Sequence, residues 1–294
     1  MAGYPTTRAA ATALALCLAA PAATAQQALN WSADDGQRIE TLRTTGDHIE
    51  AANLVLWFPP SLPRGDADAL ARRLDPAVAG LWAQVGTHDW QAVPKGPITY
   101  YLSDDAFVAH ATGRGAVFVP MARVKDGRAP FLHEAVHELL ASTRLGPPAA
   151  GTPRPPLWLT EGLPDYVARG VAADLGLTEQ GPFGTPSLAG VDAVCAERAA
   201  TPDGAAMLPF VGGPGRPAAL FTTDRARFAP TFYSCSFSFV KHLVGRSSLA
   251  AVVGLFGETP DVLAARLETI GGKPVAKVRA DWLRAIGLAA QAPR

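Results

Sequence analysis

The chain has 294 residues, with 26 Lys+Arg against 26 Asp+Glu, 48% hydrophobic residues and 18% charged ones. That much apolar material builds a core and excludes a wholly disordered chain, and the length fits one large domain or two intimate lobes. A balanced charge without a Lys/Arg cluster argues against a nucleic-acid partner, and beyond the leader no stretch reaches the roughly 18 apolar residues of a membrane span.

Residues 1–25 read MAGYPTTRAAATALALCLAAPAATA. Arg8 starts a short positive region, Ala9 to Ala20 is apolar, and Ala23-Thr24-Ala25 is an A-x-A cleavage site. This is the layout of a secretory signal peptide, so the chain is expected to be secreted or periplasmic after cleavage near Ala25. Of three cysteines, Cys17 leaves with the leader. Cys195 and Cys235 remain in an oxidising compartment and are expected to form a disulfide, contributing about 3–4 kcal/mol on the loop-entropy model.

A polar leader (26–45) precedes a strand expected over His48–Phe58, stopped by Pro59-Pro60. Asp66–Val85 carries Leu70, Leu74, Val78, Leu81, Trp82 and Val85 at helical spacing. Pro97–Leu102 and Ala116–Val124 read as further strands, Pro120 pushing the latter to a sheet edge. Helices are expected over Pro130–Ser142 and from Pro156 to about Ala173, separated by a Pro/Gly-rich loop at 144–156. The stretch 180–230 reads as irregular, and three helices follow, at about 231–245, 247–256 and 260–288 with a break at Gly271-Gly272. Strands first and helices after is an α+β pattern. The mature chain 26–294 is expected to be a single domain of two lobes, an upper α/β lobe at about 45–143 and a lower helical lobe at about 156–294.

Residues 131–140 read FLHEAVHELL. His133 and His137 lie four apart, about 40° from one another around a helix, so both imidazoles can reach one ion. With Glu134 they form H-E-x-x-H, the zinc-protease helix in which Glu is general base and not a ligand. The apolar neighbours predict burial, and buried imidazoles need a partner. Two His leave a catalytic zinc one protein ligand short. Glu161, 24 residues after His137 in WLTEGLPDY, can return beside the pair across the 144–156 loop. Asp165, one turn further, is placed to accept an N–H from a zinc-bound imidazole and fix its tautomer.

HEAVH followed by TEGLPD resembles the gluzincin branch of zinc metallopeptidases, thermolysin-like in order, and WLTEGLPDYVA is most similar to the small bacterial "peptidase MA-like" members. The match covers about 131–170. It implies a zincin-like two-lobed fold and one Zn2+ per chain, with His133, His137 and Glu161 as ligands. Glu134 would be general base and proton shuttle, and Asp165 would support His133. AVFVPMARV would be the edge strand that pairs with an extended peptide or protein substrate, a role that unpaired edge groups suit. The family supplies a His or Tyr for the oxyanion; the candidates here are Tyr233, favoured and next to Cys235, and His242. Pro164 departs from the family's usual helix former and is expected to kink the helix.

Glu138, one turn after Glu134, is expected to be a surface or supporting group, and His48, His88 and His110 to be structural. No G-x-S-x-G elbow accompanies Ser234, Ser236 and Ser238, and no phosphate loop occurs. The alternative to a peptidase is a zinc-binding but non-catalytic module that holds peptide or envelope protein.

Overall fold

In a computed structural model of the chain, residues 31–89, 95–106, 108–140, 155–179, 183–184 and 187–288 are described. The leader at 1–25 and most of the 144–156 loop lie outside them.

The fold is α+β, with one small mixed sheet followed by helices. The polar segment ahead of the sheet forms a helix, α1 (Trp31–Thr45). The strands are β1 (Asp47–Glu50), β2 (Leu54–Phe58), β3 (Ile98–Ser103), β4 (His110–Ala111) and β5 (Ala116–Pro120), ordered β1-β2-β3-β5-β4. β2, β3 and β5 are parallel, and the outer strands β1 and β4 run antiparallel to their neighbours.

Two strand expectations are corrected. The stretch His48–Phe58 is a hairpin, because residues 51–53 turn between β1 and β2. The Asn53 N–H there donates to Asp75 Oδ1 at 2.7 Å. The stretch Ala116–Val124 is a strand only to Pro120, after which the chain enters a short helix, α3 (Met121–Lys125). Proline cannot donate to a ladder, but a helix start requires no donor from the residue before it. Nor is β5 the sheet edge: β4 covers it, pairing His110 with Phe118 and Ala111 with Val117.

The pleat sorts side chains to the two faces. Leu54, Leu56, Phe58, Ile98, Tyr100, Leu102, Val117 and Val119 join a core with α2 (Arg64–Val85) and α4 (Phe131–Leu139). On the other face Tyr101 and Phe118 stack at 5.1 Å and pack with Leu42 of α1. The predicted apolar stripe of α2 is buried along its length.

The remaining helices are α5 (Leu157–Asp174), α6 (Val191–Ala199), α7 (Pro202–Ala205), α8 (Arg225–Arg246), α9 (Leu249–Gly254), α10 (Pro260–Gly271) and α11 (Val275–Ala285). The region expected to be irregular therefore contains α6, α7, two 3-10 turns and the first turn of α8. Cys195 and Cys235 are bonded, as expected, tying α6 to α8 across a 40-residue separation. α5 and α8 meet at Gly162, where an added Cβ would lie 2.5 Å from the Ser236 carbonyl oxygen, so the crossing requires glycine. Between α10 and α11, Gly272 takes φ 67°, a left-handed helix end. One apolar core runs from the sheet through α2, α4 and α5 to α8, α9 and α11. No helix among the described residues is long and apolar enough to cross a membrane.

Candidate metal centre

Every residue of α4, Phe131 to Leu139, is buried. Its apolar side chains join the core, while α5 brings Glu161 to the two imidazoles. His133 Nε2 and His137 Nε2 stand 3.0 Å apart, and Glu161 Oε2 lies 3.8 Å from the first and 3.6 Å from the second. Ligand atoms about 2.05 Å from a tetrahedral ion lie about 3.3 Å from one another. Two imidazole nitrogens and one carboxylate oxygen at these separations fit a metal ion, and all three residues are buried.

The surroundings suit that use. His133 Nδ1 donates to Asp165 Oδ1 at 3.0 Å, which leaves the lone pair on Nε2, facing the other two donors. Glu134 Oε2 and Asp165 Oδ2 are buried with no hydrogen-bond partner among the described residues. An unpartnered buried carboxylate oxygen is costly, so each of the two would gain from a proton or a donor brought to it. α5 runs through Pro164, and the expected kink does not keep Glu161 or Asp165 from these positions.

Glu138 is no surface group: it is fully buried, and its carboxylate accepts the backbone N–H groups of Thr112, Gly113 and Gly115. It thereby ties the β4–β5 turn to α4. Burial raises its pKa above the usual carboxylate value, against the backbone donors, which lower it. At the other end of α4 no side chain of the helix itself caps the free N–H groups. Glu179, from the segment after α5, takes the Leu132 and His133 N–H groups at 2.9 and 3.2 Å. Burial raises Glu179 to about 7, while the His133 N–H and the Arg169 charge act to lower it. The Tyr100 hydroxyl donates to the Phe131 carbonyl at 3.3 Å and fixes the same end from the sheet. Sequence reading missed Glu179; its one signal was that α4 follows a proline and lacks its own cap.

Tyr233 lies on α8, one turn before the Gly162–Ser236 crossing, with its hydroxyl 3.4 Å from Arg225 Nη2 and its ring on Phe183 at 5.1 Å. His242, the other oxyanion candidate, sits further along α8 among the charges of Arg246, Asp281, Asp192 and Lys273, with its pKa lowered by burial. His110 is buried, and its Nε2 lies 2.9 Å from Asp35 Oδ2 of α1. His48 stacks on Trp57, and His88 Nε2 lies 2.9 Å from the Val85 carbonyl. Ser234 bonds the Pro230 carbonyl, and Ser238 bonds Asp192 and Trp282.

A scan of protein-family models finds no match to the chain, and neither does a search of the curated proteins. Among solved structures, a conserved protein of unknown function from Bacillus anthracis str. Ames is similar at 12% identity and a TM-score of 0.41, over 87% of this chain and 55% of that one. This chain thus spans about half the length of that protein.

Proposed function

We propose that the chain is an exported, zinc-dependent peptidase of gluzincin type, with a zincin-like division into an upper α/β and a lower helical lobe. The observation that carries this reading is Glu134 Oε2, buried and unpartnered one residue from a three-donor cluster whose first imidazole is already oriented by Asp165. His133, His137 and Glu161 would hold one zinc per chain. When bound, zinc supplies Lewis acidity and lowers the pKa of a water at its open position.

The chain's own residues carry the remaining work. Asp165 holds the His133 tautomer and raises its basicity. Glu134 takes a proton from the attacking water and passes it to the leaving amine of a peptide substrate. Tyr233 is assigned as the donor that steadies the oxyanion. The disulfide supports an oxidising compartment, secreted or periplasmic, for the mature chain.

The test is zinc content together with turnover. After dialysis, elemental analysis is expected to find about one zinc per chain, and Glu134→Gln to retain it while peptide hydrolysis collapses. Wild-type rates in Glu134→Gln would remove the mechanism. Zinc and peptide binding without any turnover would make the chain a binding module.

A further inference from the structure

Resting on the peptidase reading, we propose that Arg225 binds a substrate carboxylate, so that the peptides taken carry a free C-terminus or an acidic side chain a few residues from the scissile bond. Arg225 is half-buried, yet among the described residues it has no carboxylate within ion-pair distance. Its contacts are the Tyr233 hydroxyl at 3.4 Å and the face of the Phe183 ring, 5.4 Å from its centroid. Two other half-buried arginines without acidic partners, Arg198 and Arg279, use their donors on backbone carbonyls. Arg198 reaches those of Pro230, Phe183 and Gly184, and Arg279 those of Val211 and Leu208. A guanidinium has five N–H donors in a fork that matches a carboxylate, and Arg225 leaves most of that fork uncommitted.

The setting supports a ligand. Phe183 takes φ 60°, a left-handed conformation that is costly for a residue with a side chain, and such strain gathers at ligand clamps. That conformation accompanies a ring held between Tyr233 and Arg225. Two independent links tie this cluster to the metal site. Glu179, four residues before Phe183, holds the His133 N–H, and four residues of chain span at most about 14 Å. Gly162, next to Glu161, touches α8 at Ser236, one turn after Tyr233. The Glu179–Phe183 span alone is then up to about four residues of extended peptide.

The experiment compares peptide pairs that differ only in a C-terminal carboxylate or amide, and pairs that differ only in an internal Glu or Gln. The wild-type, zinc-loaded protein should favour the acid member of one pair by about 10- to 100-fold in kcat/KM, the factor a hydrogen-bonded charge carries. The pair that responds identifies the source of the carboxylate. Arg225→Gln should erase the preference, chiefly through KM, and Arg225→Lys should restore part of it. Equal rates within both pairs, or a preference that survives in Arg225→Gln, would overturn the proposal. If no peptide is cleaved, the same peptides are titrated onto the zinc-loaded protein by fluorescence polarisation. A Kd preference lost in Arg225→Gln then upholds the carboxylate site and removes the peptidase reading, and no Kd preference removes the site. Thermal unfolding of Arg225→Gln should stay within about 1 kcal/mol of wild type, since one long hydrogen bond and one part-exposed contact with the Phe183 ring are lost.

Discussion

Glu134 and Glu138 stand one turn apart on the same buried helix, 2% and 0% exposed, and the fold treats them oppositely. Glu138 has its oxygens filled by three backbone donors from the β4–β5 turn. Glu134 keeps one oxygen with no partner among the described residues. Buried carboxylates ordinarily find donors, as Glu138 and Glu179 do. The contrast separates a carboxylate that holds backbone in place from one with an oxygen left unpaired, which the peptidase reading takes as the general base, and local rule-breaking of the second kind collects at functional sites.

Exchanging each carboxylate for a neutral group should break the pair apart. Glu134→Gln should lower kcat/KM for peptides by about 10²- to 10⁴-fold, the range of general acid–base catalysis. Its thermal stability should hold or rise by about 1 kcal/mol, because Gln keeps the shape and replaces a carboxylate that has one buried, unpartnered oxygen. Glu138→Ala should do the reverse in stability. It strands three backbone donors and opens a cavity, so a loss of about 3–5 kcal/mol in chemical denaturation is expected. If Glu138→Ala were as stable as wild type, or Glu134→Gln much less stable, the division of roles drawn here would be wrong.

The sequence made one half of this comparison readable. H-E-x-x-H, and Glu161 with Asp165 at helical spacing, announce themselves because side chain meets side chain through fixed offsets on two regular helices. The Cys195–Cys235 bond follows from counting cysteines. Glu138 and Glu179 act on backbone N–H groups of Thr112, Gly113, Leu132 and His133, and a backbone donor leaves no mark in the sequence. The same reason hides β4, two residues long and defined by its pairing. The β1–β2 hairpin turns through Ala51, Ala52 and Asn53, without a glycine or proline to announce it; Asp75, from a distant helix, holds the turn. α1 shows little apolar stripe, and only Ile39 and Leu42 report its packing against Tyr101 and Phe118.

Asp165 sharpens the comparison from the ligand side. It accepts from His133 Nδ1, yet its Oδ2 is as unpartnered as the free oxygen of Glu134. Asp165→Asn keeps the shape and can present either an acceptor or a donor to His133. It should weaken zinc binding by about 10- to 100-fold in a chelator competition, with the fold retained. An unchanged zinc affinity would mean that His133 is oriented by its packing alone.

The smallest effect is expected at Glu179, which resembles Glu138 in accepting backbone donors but serves the helix end next to His133. Glu179→Gln keeps one acceptor oxygen for Leu132 and His133 and removes the partial charge that Glu179, raised to about 7, carries near neutral pH beside the helix N-terminus. A loss of about 1 kcal/mol is expected, well below that of Glu138→Ala, because Tyr100 still holds the Phe131 carbonyl from the sheet side. Hydrogen exchange should locate the change: protection should fall at Leu132 and His133 and stay at Thr112 and Gly113. Loss of protection at both ends together would show that α4 is held as one unit. The two carboxylates would then have to be treated as a single structural device rather than two.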